Sequence, residues 1–128
     1  MIKFLKIIFH ISILFLIVIS LYPGSLIGYL IYGDLERQPD IITNPFGTTI
    51  NHFVYYFFVS ALGLCLYIKS NNFNKLTFLL FFLSIILEVL QLAVPNRSFQ
   101  LSDLVGNYTG VLAAYFLVKI YLLWKNYE

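Results

Sequence analysis

Two carboxylates, one histidine, one arginine and two carboxamides stand at spacings that suit a binding or catalytic site. Glu88 and Gln91 follow each other at i, i+3, and Arg97 and Ser98 come next in the turn Pro95-Asn96-Arg97-Ser98. Asp103 and Asn107 are paired at i, i+4, and His52 lies upstream at the start of another apolar run. The chemistry this set suits first is recognition of an anion. The fork of N–H donors on Arg97 matches phosphate or carboxylate oxygens. Gln91 and Asn107 would add neutral hydrogen bonds, while Glu88 and Asp103 orient Arg97 and His52.

A second chemistry is available to the same residues. Glu88 or His52 could serve as general base in a hydrolase or transferase acting on lipid head groups. Ser98 offers a hydroxyl, but no nucleophile-elbow pattern surrounds it. There is no H-E-x-x-H run and no i, i+4 histidine pair, so neither a metal nor a cofactor is expected. A third reading makes the polar residues only a means of holding helices together.

The elements that must position these residues are helices. Ser84, Glu88 and Gln91 fall on one helical stripe, as do Asp103, Asn107, Gly110 and Ala114. Gly106 and Gly110 form a small-xxx-small pair that lets another helix approach closely. These patterns predict a packed seam between the third and fourth apolar stretches, with the polar groups at its mouth. Asp103 is placed to cap the fourth helix, and Arg97 is placed to pair with Asp103 or to reach lipid head groups. His10, Tyr55 and Tyr56 read as packing residues, and Cys65, in mid-run, as a buried inert thiol.

Four apolar stretches cover about 4–22, 50–68, 76–94 and 104–124, each long enough to cross the hydrocarbon core. Composition agrees: the chain is 60% hydrophobic and 11% charged, with mean hydropathy +0.86, whereas soluble domains carry roughly 25% charged residues. The predicted fold class is all-α, a single domain over 1–128 built as an integral membrane bundle of four transmembrane helices. The net charge of +2 is too small to indicate nucleic acid, and one cysteine permits no internal disulfide. The first stretch, behind Lys3 and Lys6, also has signal-peptide character, but it ends in Leu21-Tyr22-Pro23-Gly24 without a small-x-small site. A retained helix is the expectation.

Lys3, Lys6, Lys69, Lys75, Lys119 and Lys125 fall on one side of this topology, against Arg37 and Arg97 on the other. The positive-inside rule then puts both termini in the cytoplasm and the polar residues at the outer face. Tyr121, Trp124 and Tyr127 would form an inner aromatic belt, with Tyr22, Tyr29 and Tyr32 near the outer one. The 23–49 loop has turn signals at Pro23-Gly24, Gly33-Asp34, Pro39 and Asn44-Pro45 and an acidic bias from Asp34, Glu36 and Asp40. It is predicted to form a partly ordered outer cap. The first stretch is expected to be a plain anchor with no polar group near that layer.

The pattern Glu88-x-x-Gln91, Pro95-Asn96-Arg97-Ser98, Asp103-x-x-x-Asn107-x-x-Gly110, with His52-Phe53-x-x-Tyr56 ahead of it, resembles the VanZ-like family over roughly residues 48–115. Thr48 and Thr49 stand where the family carries an Asp-Lys pair, and Asn96 replaces its usual glycine. The resemblance implies a small polytopic protein of the bacterial cytoplasmic membrane. It also implies a cell-envelope role, since the family takes its name from a member linked to teicoplanin resistance. The expected partners are the bilayer and a phosphorylated lipid, cell-wall precursor or glycopeptide, held by His52, Glu88, Gln91, Arg97, Asp103 and Asn107.

Overall fold

The computed structural model describes residues 1–37 and 47–125, and within them every regular element is helical. Four helices have the length and hydropathy to cross a membrane: Ile2–Leu21, Thr49–Leu66, Phe73–Ala93 and Leu101–Lys125. We label Ile2–Leu21 α1, a short Leu26–Tyr32 helix α2, Thr49–Leu66 α3, Phe73–Leu90 α4 and Leu101–Lys125 α5. A 3-10 turn, Gln91–Ala93, extends α4. Pro39, Asp40, Asn44-Pro45 and Tyr127 lie outside the described residues.

Each long helix buries a stripe and turns its remaining apolar surface outward, as a bundle in lipid requires. On α5 the buried residues are Asp103, Gly106, Asn107, Gly110, Val111, Ala114 and Val118, a 3.6-residue repeat polar at its start and apolar further on. On α4 the stripe is Phe73, Leu80, Ser84, Leu87 and Glu88. Cys65 corrects the expectation of a buried thiol: it is exposed, because an apolar run around a whole helix leaves half of its residues on the outer surface.

The closest packing joins α3 to α5, not the third and fourth spans as the small-residue pair suggested. A Cβ on Gly106 would lie 2.6 Å from the Thr49 carbonyl oxygen, and one on Gly110 would lie 2.5 Å from that of Phe53. Bare Cα surface at both positions therefore lets the α3 backbone settle onto α5. The sequence pattern marks which helix offers small residues but not which neighbour uses them. α3 and α5 run parallel, with Thr49 level with Gly106 and Phe53 level with Gly110.

α1 is the loosest member. Only Phe9 and Leu16 are buried on it, Phe9 seated over Gly63 of α3. Lys6 lies 4.8 Å from the Tyr67 ring and Lys119 lies 5.4 Å from that of Phe73, so the lysines of α1 and α5 meet the α3–α4 turn at one end of the bundle. At the other end α2 starts at Ser25, whose hydroxyl accepts from the Gly28 N–H at 2.9 Å, and stops at Gly33 in the left-handed region. Tyr29, Leu30, Ile31 and Tyr32 of α2 stay exposed.

Candidate ligand-binding site

The polar end is assembled around the N-terminus of α5. Its first N–H groups need acceptors and carry a partial positive charge. Asp103 does not cap the helix as expected; it is the third residue inside α5, which starts at Leu101. The acceptor comes from another helix instead. Glu88 Oε1, from the last turn of α4, takes the Gln100 N–H at 3.1 Å. Both carboxylates thus sit where the helix dipole favours negative charge.

From Glu88 a hydrogen-bond chain crosses to α3. Asn107 Nδ2 donates to Glu88 Oε2 at 3.3 Å, leaving Asn107 Oδ1 to face His52 Nδ1 at 2.8 Å. His52 Nε2 stands 3.5 Å from Asp103 Oδ2. Asp103 also accepts from the Thr48 hydroxyl, at 3.0 Å to Oδ1, and from that of Thr49 at 3.4 Å. Glu88 is 1% exposed and Asn107 1%, so the link between them is shielded from competing solvent, and buried groups of this kind are tolerated when paired; the His52 side chain stays 26% exposed.

Arg97 departs from expectation. It pairs with neither carboxylate. Its Nη2 donates to the Ile19 carbonyl at 2.8 Å and its Nε to the Tyr22 carbonyl at 3.2 Å. These oxygens close the C-terminal end of α1, where the helix dipole attracts a cation. Burial pulls the Arg97 guanidinium below its ordinary pKa while the charges of Glu88 and Asp103 act in the opposite direction; arginine is basic enough to stay charged regardless. The arm is aimed by the turn before it: Asn96 adopts φ 58, the left-handed conformation that explains a glycine in the family pattern and that asparagine tolerates.

Two adjoining half-open cavities lie beside this layer. The first, about 100 Å³, has Ser20, Ser25, Thr48, Asn51, His52, Gln91 and Arg97 in its wall. The second, about 150 Å³, is lined by Phe15, Leu16, Tyr55 and Tyr56 and shares Ile19, Ser20, Ile27, Asn51 and His52 with the first. A compartment with Arg97 in its wall therefore adjoins a more apolar one, with His52 common to both. α1 is more than an anchor, since Ser20 and Ile19, whose carbonyl accepts from Arg97, belong to this wall. Ser98 is exposed in its turn and lines neither cavity. Among the described residues no three metal-ligating side chains converge.

A family model described as VanZ/LLP1 matches residues 8–123. The chain belongs to the VanZ/LLP1 family. No curated protein and no solved structure matches it. Within the VanZ/LLP1 match, the sequence-predicted residues divide into two groups. His52, Glu88, Asp103 and Asn107 join in one hydrogen-bonded chain, while Gln91 and Arg97 meet His52 at the cavity wall. Thr48 and Thr49 were missed as site residues; their signal was position, four and three residues before His52 on a helix start, where their hydroxyls reach the same carboxylate. Ser20, Ser25 and Asn51 carried no comparable signal.

Proposed function

We propose that this VanZ/LLP1 chain is a multi-pass protein of the bacterial cytoplasmic membrane. Both termini lie in the cytoplasm, and the outer leaflet supplies an anionic amphiphile, a phosphorylated lipid or lipid-linked cell-wall precursor, to the cavity. The observation that carries the reading is the junction at His52 of a compartment walled by Arg97 and Gln91 with an apolar one. Two carbonyls occupy part of the Arg97 fork, and a guanidinium has five N–H donors, so donors remain for an anion. Both oxygens of Glu88 already accept hydrogen bonds, which favours a positioning role there over proton transfer. A protein that holds a cell-wall precursor is also placed to alter the response to teicoplanin-type glycopeptides.

The test is retention of dioctanoyl phosphatidic acid against dioctanoylglycerol by the detergent-purified protein, read by native mass spectrometry. The phosphate-bearing lipid should be retained and the neutral one lost. Arg97→Gln should weaken retention by about tenfold or more, the scale of a hydrogen bond to a charged group. Equal retention of the two lipids would overturn the reading. Release of phosphate by the intact protein, lost in Glu88→Gln, would replace it with the hydrolase.

A further inference from the structure

The wall of the apolar compartment includes a tyrosine whose hydroxyl has no hydrogen-bond partner in the protein. Tyr56 is 4% exposed, lines the cavity, and its hydroxyl oxygen is buried with no hydrogen-bond partner. Ser20 of α1 lies beside it in the same wall without closing a bond of normal geometry. A buried hydroxyl is costly to leave unmet, and a phenol in a mostly apolar wall is a means of reading one polar atom on an apolar partner.

Register fixes where that atom must lie. Tyr56 follows His52 by four residues on α3, so it stands on the same face about 6 Å further from the charged compartment. A ligand with its anionic group between Arg97 and His52 would meet Tyr56 a few bonds beyond, where head group gives way to chain. Acyl-linked glycerolipids carry a strong acceptor there, the ester carbonyl. Polyprenyl phosphates carry only hydrocarbon. We infer that the apolar compartment is an acyl-ester subsite: the Tyr56 hydroxyl donates to a carbonyl at the root of an acyl chain, selecting acylated anionic lipids over polyprenyl phosphates. The inference rests on the anionic-amphiphile reading above and narrows its ligand class.

The experiment compares three probes on the detergent-purified full chain by native mass spectrometry: dioctanoyl phosphatidic acid, its di-O-octyl ether analogue without carbonyls, and geranylgeranyl phosphate. The ester lipid should bind about fivefold more tightly than the ether, one neutral hydrogen bond's worth, and more tightly than the prenyl phosphate. Tyr56→Phe should bring the ester down to the level of the ether and leave the ether unchanged. Equal binding of ester and ether to the unmodified protein, or a preference that survives in Tyr56→Phe, overturns the acyl-ester subsite while leaving the anionic site standing. Failure of all three probes to bind overturns both. The ester–ether comparison needs no variant, so a misfolded Tyr56→Phe would not shield the inference.

Discussion

The side-chain amide of Asn107 donates to Glu88 and accepts from His52, and that polarity assigns protons on both sides. Glu88 accepts through both oxygens, as an ionised carboxylate does. On the other side the amide oxygen accepts from His52 Nδ1, which leaves Nε2 to face Asp103. Replacing Asn107 with leucine would leave a buried carboxylate and an imidazole each short of a partner. Asn107→Leu should destabilise the protein by about 3 kcal/mol, measured by unfolding in mixed detergent micelles. Asn107→Asp should be at least as damaging, because it sets a second carboxylate against Glu88. At this scale much was legible. Ionisable groups in apolar runs are rare enough to mark a site, and Glu88, Asp103 and His52 stood out for that reason. Their partners were not all legible: Thr48 and Thr49 are ordinary near a helix start, and the carbonyls of Ile19 and Tyr22 have no side-chain signature at all.

Helix ends organise the elements. A carboxylate from α4 satisfies the start of α5, and a guanidinium from the α4–α5 turn satisfies the end of α1, so one connection ties together three helices through their dipoles. α1 buries so little surface that this clamp matters most for its last turn. Arg97→Lys keeps the charge but loses the fork that reaches two carbonyls. It should speed amide hydrogen exchange at the end of α1 and through α2, with exchange in the middle of α5 unchanged. Uniform acceleration throughout the bundle would show that Arg97 supports global stability instead. The existence of four long helices could be read from hydropathy, because lipid demands apolar runs of a fixed length. Their pairing could not. The glycines at 106 and 110 mark a close approach, and only the fold identifies α3 as the helix that comes near.

Over the whole molecule, charge and polarity separate. Lysines gather at the end formed by the start of α1, the α3–α4 turn and the end of α5, and the hydrogen-bonded layer occupies the other. The positive-inside rule is the ground for proposing that the lysine end is cytoplasmic. A reporter fused after residue 128 and active only in the cytoplasm should therefore be active; activity only from an externally competent reporter would move the polar layer to the inner leaflet and remove the outer-leaflet ligand.

The parallel register of α3 and α5 has a consequence for the membrane itself. Because Thr49 lies level with Gly106, α5 begins about five residues, or about 8 Å, beyond the start of α3. Thr49 and His52 thus lie below the level at which α5 begins, with Ser25, and Leu26 and Ile27 of α2, beside His52 in the cavity wall. A bilayer whose thickness departs from the span of these helices meets them at unequal heights, which costs free energy that tilt or local thinning must absorb. If the cavity takes a lipid as proposed, its occupancy should then depend on bilayer thickness, and retention measured in short-chain against long-chain bilayers checks it.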